Sequence, residues 1–248
     1  IRLVSYNGSH YLEIPSEVKD IDYGESGGVV NATLFFLSTL NTSEERQYYV
    51  ISSKINATKS YASDIVYSTQ GNSHIFQNAF YTGVFDASTG GLLHNLSSSR
   101  GSKINFATSD PLDYFPEFKI GLSNTFSARE EQSPSITTDN GAIHASLSAS
   151  GNMSQSSTKP YTYHCDFYSS VPYIVCAKNL TTTNTDNWKE LSLGGMVFGD
   201  GIFSRAALSD SSGSITEYKI NTTDGTDAYG LDDQARWLAF HNNDTGDA

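Results

Sequence analysis

The chain has 248 residues, with fifteen Lys and Arg against twenty-seven Asp and Glu, which gives a net charge of −12 at pH 7. Only 17% of the residues are charged and 38% are hydrophobic, and the polarity comes largely from Ser, Thr, Asn, Gly and Tyr, as is typical of secreted β proteins. The acidic balance and the lack of a basic run exclude nucleic acid as an expected partner. No stretch reaches the apolar length of a membrane span, so we predict none in this chain.

Alternation of apolar and polar residues recurs along the whole chain, and no segment keeps an apolar helical stripe for three turns. This period of two predicts β-strands that are half buried. Residues 43–46 and 129–132 are at most single helical turns. The predicted strands, in chain order, are 2–6, 11–14, 29–37, 48–55, 64–68, 74–78, 80–86, 92–96, 118–122, 142–149, 161–168, 173–179, 189–198, 214–220 and 235–241.

Many short strands in a chain of this length predict an all-β fold. We expect a large antiparallel β-sandwich, supersandwich or jelly-roll-like, with Greek-key connections and very little helix. The polar stretch at 151–159 is the best candidate for a domain boundary, but a long β loop would look the same. We favour a single β-sandwich domain over 1–248, and we expect a processed protein or the ordered part of a longer secreted one.

Nine asparagines lie in the pattern Asn, any residue except Pro, then Ser or Thr, where a shuffled chain would give about four. Such sites, when glycosylated, lie on exposed loops or strand edges of a protein that has crossed a membrane. The alternative is a composition rich in Ser, Thr and Asn that only resembles a glycoprotein. The predicted glycosylation sites are Asn7, Asn31, Asn41, Asn56, Asn95, Asn152, Asn179, Asn221 and Asn243.

The two cysteines lie on either side of a predicted hairpin. A turn centred between Ser170 and Val171 places Cys165 directly opposite Cys176, at a separation that suits a disulfide. Such a bridge adds roughly 2 to 3 kcal/mol and requires an oxidising compartment. The alternatives are two buried free thiols, or a metal pair that lacks its other ligands.

Catalytic residue types are plentiful, although they form no recognisable motif. A polysaccharide lyase needs a Tyr or His base and a group that neutralises the substrate carboxylate. Glycoside hydrolysis needs two carboxylates at a defined separation. A structural role is the alternative for each residue, so we assign no catalytic residue. The candidates are His74, His94, His144, His164 and His241, with Arg46, Arg100, Arg129, Arg205 and Arg236, and with Glu117, Glu130, Glu131, Glu190 and Glu217.

Two acidic loops offer oxygen ligands for calcium, the one cofactor that the sequence suggests. The first contains Asp224, Asp227, Asp232 and Asp233, and the second contains Asp20, Asp22 and Glu25. Solvated turn carboxylates are the alternative in both places.

Exposed aromatic rings could stack on sugars, and the candidates are Trp188, Trp237, Tyr48, Tyr49 and Tyr114.

The segment FYTGVFDASTGGLLHNLSSSRG, at 80–101, resembles the strand, Asp-x-x-Thr-Gly turn and strand of galactose-mutarotase-like β-supersandwich domains. GAIHASLSASG, YTYHCDFYSSVPYIVCAKNLT and RWLAFHNNDTGDA are similar to later strands of such domains, so that the resemblance covers about a third of the chain. The resemblance implies a fold, because this scaffold carries sugar epimerases, polysaccharide lyases, accessory domains of glycoside hydrolases and noncatalytic modules.

These observations favour an extracellular or cell-surface glycoprotein with a structural role, which carries N-linked glycans and assembles with copies of itself into a layer or fibre. The sequons extend along the whole chain, and their glycans would leave few broad faces for a polymeric substrate. The alternatives are a secreted carbohydrate-active enzyme, either a polysaccharide lyase or a mutarotase-like protein, and a noncatalytic module that binds extracellular polysaccharide. The motifs of nucleophile-elbow hydrolases, zinc proteases and nucleotide-binding proteins are absent from the sequence.

Overall fold

The computed structural model describes residues 1–6, 8–40, 42, 44–52, 59–99, 106, 112, 117–120, 124–182, 188–192, 203–209, 212–220 and 237–241. These residues form nineteen strands and three single turns of 3₁₀ helix. The turns are Ala87–Thr89, Ala128–Glu130 and Met153–Gln155. The strands are β1 Arg2–Tyr6, β2 Tyr11–Ile14, β3 Ser16–Tyr23, β4 Val29–Phe36, β5 Gln47–Ile51, β6 Val66–Gln70, β7 Ser73–Gln77, β8 Tyr81–Asp86, β9 Leu92–Ser98, β10 Glu117–Ile120, β11 Asn124–Ser127, β12 Ser135–Asn140, β13 His144–Asn152, β14 Pro160–Tyr168, β15 Ile174–Leu180, β16 Trp188–Ser192, β17 Arg205–Ser209, β18 Ile215–Lys219 and β19 Trp237–His241.

Every strand pair in the described residues is antiparallel. Two sheets have four strands, in the orders β6-β7-β8-β9 and β12-β13-β14-β15. Three sheets have three strands, in the orders β2-β1-β5, β11-β10-β16 and β18-β17-β19, and β3 pairs with β4 as a hairpin. The predicted all-β antiparallel sandwich is therefore confirmed.

The core lies between the two four-stranded sheets. Alternate residues of β8 and β14 are buried while their neighbours are more exposed, as expected for strands with one face in a core. The rings of Phe76 and Phe167 stack across the sandwich at 4.1 Å. The inward side chains are Phe76, Tyr81, Phe85, Leu92 and Leu93 from one sheet, and Ala145, Leu147, Ala149, Tyr161, Tyr163, Cys165 and Phe167 from the other.

The hairpin of β14 and β15 has the predicted register, with Cys165 opposite Cys176. The two residues form a disulfide with a Cα separation of 4.2 Å. Ser170 occupies the left-handed region at the turn, with φ of 58°. The turn is therefore at the predicted position, and the disulfide fixes a hairpin whose inner face belongs to the core.

Asp64 and Asn78 connect this hairpin turn to the other sheet. The Asp64 carboxylate accepts hydrogen bonds from the Ser169 hydroxyl and the Ser170 N–H, both at 2.8 Å, and from the Ala79 N–H at 3.0 Å. The Asn78 side-chain amide donates to the carbonyls of Tyr168 and Val171. Two polar side chains thus hold the ends of both sheets together.

Four strands were missed by the sequence analysis, namely β3, β11, β12 and β17. Strand β3 carries several charges, and its pairing with β4 shifts register next to Asp20, whose φ is 50°. Such a bulge breaks the period of two that signals a strand. Strands β11 and β17 have four and five residues, and Ile136 is the one apolar residue of β12. The predicted turn at 129–132 corresponds to Ala128–Glu130, whereas residues 44–46 are irregular.

Candidate functional site

The outer face of the β12-β13-β14-β15 sheet carries a row of polar side chains. On β13, Ala145 and Leu147 point into the core, so His144 and Ser148 lie on the opposite face because side chains alternate along a strand. On β14, the same alternation around the buried Cys165 places His164 and Asp166 outward. We call His144, Ser148, His164, Asp166 and Lys19 the histidine cluster.

Hydrogen bonds connect the five members of the histidine cluster. Ser148 Oγ lies 2.6 Å from His164 Nδ1, and His164 Nε2 lies 3.0 Å from Asp166 Oδ1. The same carboxylate oxygen lies 2.7 Å from His144 Nε2. Lys19 Nζ approaches His144 Nδ1 at 3.3 Å and donates to the His144 carbonyl at 2.8 Å.

These contacts restrict the proton positions. An ionised carboxylate only accepts hydrogen bonds, so beside an ionised Asp166 both histidines donate from Nε2–H. The Lys19 ammonium only donates, so His144 Nδ1 accepts from it, whereas Ser148 Oγ can donate to a neutral His164 Nδ1 or accept from a protonated one. Asp166 therefore holds two imidazole rings in place, one buried and one half exposed.

The β3–β4 hairpin covers one end of this face. Phe35 stacks on the His144 ring at 3.9 Å, and Lys19 Nζ lies 2.7 Å from Asp139 Oδ2. Glu17 accepts from the backbone N–H groups of Ile143 and His144. His144 and Lys19 are thus enclosed by the hairpin, and a solute can reach only the His164 end of the cluster.

The order of Ser148, His164 and Asp166 is that of a nucleophile, a base and a carboxylate that orients the base. Acyl transfer also needs donors for the developing oxyanion. Strands β13 and β14 each pair on both sides, so their backbone N–H groups are used within the sheet and cannot supply those donors. Donors for an oxyanion would therefore have to come from outside the backbone of these two strands.

The other candidate catalytic residues lie apart from this cluster. His74 bonds to the Tyr67 hydroxyl at 2.8 Å, and burial, offset in part by Asp86, lowers the pKa of this imidazole. Arg205 pairs with Glu217, and Arg46 with Glu44. Glu131 accepts from the N–H groups of Ser133 and Asn152, Glu130 accepts from Ser154, and Glu117 pairs with Lys119. Among the described side chains these contacts are mostly local. Arg100, Arg236 and the side chains of Glu190 and His241 lie outside the described residues.

The calcium candidates receive no support from the described part of the chain. No group of three or more His, Cys, Asp or Glu residues suited to a metal ion occurs there, so Asp20, Asp22 and Glu25 do not form such a site. The loop with Asp224, Asp227, Asp232 and Asp233 lies outside the described residues, and its calcium site stays a prediction.

Four of the nine sequons fall in described strands. Asn31 on β4 and Asn179 on β15 are exposed, whereas Asn95 on β9 and Asn152 at the end of β13 are half buried. The Asn95 Oδ1 atom is buried and has no hydrogen-bond partner among the described residues. The remaining sequons, Asn7, Asn41, Asn56, Asn221 and Asn243, lie outside the described residues.

The aromatic candidates for sugar stacking differ in how far their rings are exposed. Tyr48 packs on Phe36 and bonds to Ser38, so its ring is occupied. Tyr49 is exposed and joins Tyr6 and Tyr11, which the sequence analysis did not single out. Tyr114 and the side chains of Trp188 and Trp237 lie outside the described residues.

No protein-family model matches the chain, and no curated protein matches it. Among the helices of the described residues, none is long and apolar enough to cross a membrane. Function must therefore be inferred from the surface of the chain.

Proposed function

We propose that this protein is an extracellular, N-glycosylated β-sandwich of a cell surface or extracellular layer, and that it associates with copies of itself. The main support is where the chain exposes apolar side chains. Among the large hydrophobic residues that the described part exposes, twelve lie within 1–51 and four lie beyond. This concentration in the first 51 residues, which are about a quarter of the described ones, is typical of an interaction surface.

The β3–β4 hairpin carries the most exposed of these residues. Val30 is 74% exposed, Tyr23 is 66% exposed, and Ile21 and Val29 accompany them near the tip. The base of the hairpin is anchored by Glu17 and Lys19 on the outer face of the sandwich. An anchored arm with an apolar tip can be buried only against another surface.

Within the described residues, the β2-β1-β5 sheet ends in two edge strands, β2 and β5. Strand β5 has no charged residue and no proline, and Val50 and Ile51 are exposed on it. Natural sheets protect their edges with charges, prolines or bulges, because an unprotected edge pairs with other chains. Edge pairing between copies would extend the sheet from one molecule to the next.

The disulfide and the exposed sequons support an extracellular location. A cross-link between Cys165 and Cys176 is stable in an oxidising compartment. Asn31 and Asn179 are both accessible to modification. Because side chains alternate along a strand, a glycan on Asn31 would leave bare the opposite face of β4, which carries Val30.

Light scattering and electron microscopy of the protein secreted by a eukaryotic host test the proposal. We expect assemblies larger than a monomer that grow with concentration. Val30→Asp places a charge at the hairpin tip and weakens association at least about tenfold, because an unpaired charge in an apolar contact costs several kcal/mol.

Val66→Asp is the matched control, since Val66 is an exposed valine on the edge strand β6. It should leave association unchanged. Discrete monomers at high concentration would contradict the proposal. Monomers that release unsaturated uronic products, followed by their absorbance, would instead support the polysaccharide-lyase alternative.

A further inference from the structure

Three tyrosines form a cluster on one face of the β2-β1-β5 sheet. The register places Tyr6 opposite Tyr11 on one side and opposite Gln47 on the other. In the next row on the same face, Val4 lies between Glu13 and Tyr49. This face therefore combines aromatic rings with an amide and a carboxylate, and we call Tyr6, Tyr11 and Tyr49 the tyrosine cluster.

The rings contact one another but remain open to solvent. The centroids of Tyr6 and Tyr11 are 5.0 Å apart with planes at 38°, and those of Tyr11 and Tyr49 are 5.7 Å apart with planes at 75°. Tyr11 is 62% exposed and Tyr49 is 41% exposed. The tilted rings form an angled surface on which Tyr11 contacts both of its neighbours.

Polar groups surround the rings. The Tyr49 hydroxyl donates to Gln47 Oε1 at 2.6 Å. Glu13 accepts from Arg2 Nη1 at 3.2 Å and from the Tyr61 hydroxyl at 2.7 Å, and it also binds Lys59. These hydrogen bonds fix donors and acceptors beside the aromatic surface before any ligand arrives.

We propose that the tyrosine cluster binds a neutral hexopyranose chain. A pyranose has apolar C–H faces that pack on aromatic rings, and equatorial hydroxyls that hydrogen-bond at the ring edge. Tyrosine suits such a ligand because it has a large apolar body and a polar tip. The fixed groups Gln47, Glu13 and Arg2 match the hydroxyls, since each can donate to or accept from a neutral polyol.

The charge of the site and of the chain determines the class of sugar. A net charge of −12 repels uronic-acid polymers at long range. Glu13 pairs with both Arg2 and Lys59, so part of their positive charge is already balanced within the site, while the N–H groups of Arg2 that Glu13 does not use can still donate to hydroxyls. Neutral sugars are not repelled by this net charge. This inference rests on the β2-β1-β5 sheet and does not require self-association.

Binding is tested by isothermal titration and by ligand-observed nuclear magnetic resonance with cellohexaose, β-1,4-mannohexaose and chitohexaose. We expect saturable binding of at least one oligosaccharide by the wild type. The variant Tyr11→Ala/Tyr49→Ala should bind it at least about tenfold more weakly, because losing two stacking rings removes more than about 1.4 kcal/mol. Tyr11→Phe keeps the ring and should retain most of the affinity.

Tyr173→Ala is the matched control, since Tyr173 is an exposed tyrosine outside this sheet, and its affinity should equal that of the wild type. Circular dichroism and urea midpoints check that every variant is folded. The proposal is overturned if none of the three oligosaccharides binds, or if the double variant binds as tightly as the wild type. Loss of self-association in the double variant without sugar binding would instead assign the cluster to a contact between copies.

Discussion

The folded state stabilises the ionised form of Asp64. Burial acts to raise the pKa of its carboxyl, but hydrogen bonds from the Ala79 N–H, the Ser169 hydroxyl and the Ser170 N–H outweigh burial and hold the pKa below 3.8. A carboxyl whose pKa is lower in the folded than in the unfolded state stabilises the fold above its unfolded pKa. That contribution disappears as the pH falls through the folded pKa.

Asp64→Asn keeps the shape of the side chain but removes one of its two acceptor oxygens. We expect the free energy of unfolding at pH 7 to fall by about 1 to 3 kcal/mol, because a backbone N–H loses its charged partner. The difference between wild type and variant should narrow as the pH falls below the ordinary pKa of an aspartate, because the unfolded wild-type chain takes up a proton first and the folded carboxyl follows at lower pH. Urea unfolding followed by circular dichroism between pH 2 and pH 7 measures this.

Asp22→Asn serves as the control, since Asp22 is exposed on β3. Its stability difference from the wild type should stay close to zero across the same range. An Asp64→Asn variant with a constant stability difference between pH 2 and pH 7 would show that the Asp64 charge does not contribute.

Only some members of the histidine cluster can be predicted from the sequence. His144 and His164 were recognised as candidates, but Lys19 lies 125 residues before His144, and no local pattern connects them. Asp166 could have been found, because it follows His164 by two positions and Cys165 between them points into the core. Two residues that flank an inward residue on a strand share the outer face.

Among the elements, the β14–β15 hairpin is the clearest case in which local signals determine structure. Its turn residues, aromatic strands and cysteine spacing all predict the same register, and the chain between the cysteines is too short for many alternatives. The bridge restricts the unfolded chain and adds roughly 2 to 3 kcal/mol by loop entropy. The core face of the hairpin depends on that register, since a shift of one residue would expose Tyr163 and Phe167.

Cys165→Ala/Cys176→Ala should therefore lower the free energy of unfolding by at least about 2 kcal/mol. Thermal and urea unfolding with and without reductant provide the measurement. Reductant should destabilise the wild type and leave the double variant unchanged, which separates loss of the bridge from loss of packing. Two thiols that react in the unfolded, unreduced wild type would contradict the disulfide.

Strand prediction succeeded where alternation was regular. The bounds of β1 and β2 match the predicted ranges, and β8, β14 and β15 differ only by single residues at their ends. Strand β3 was missed because the bulge at Asp20 and the charges of Glu17 and Lys19 remove its apolar period. Those charges face the sandwich, where His144 and Asp139 pair with Lys19. Contacts with residues distant in sequence thus stabilise β3.

For the whole molecule, apolar surface is divided between two locations. The β6-β7-β8-β9 and β12-β13-β14-β15 sheets bury a continuous core, whereas the first 51 residues expose most of the large apolar side chains outside it. The core accounts for folding, and on the proposed function the exposed residues of the β3–β4 hairpin account for association. Substitutions in the core should therefore lower stability without changing assembly. Substitutions among the exposed residues should change assembly without lowering stability.

Phe167 tests this division, because it is 1% exposed and packs on both Phe76 and Phe85. Phe167→Ala should lower the free energy of unfolding by about 3 to 5 kcal/mol, since it loses buried apolar surface and leaves a cavity. The urea dependence of that free energy should stay unchanged, as expected when only native packing is lost.

Tyr23→Ala removes an exposed ring at the hairpin tip and should leave stability within about 0.5 kcal/mol while it weakens association in light scattering. A large loss of stability in Tyr23→Ala would show that the hairpin tip is part of the folding core, and it would remove the main support for an interface there.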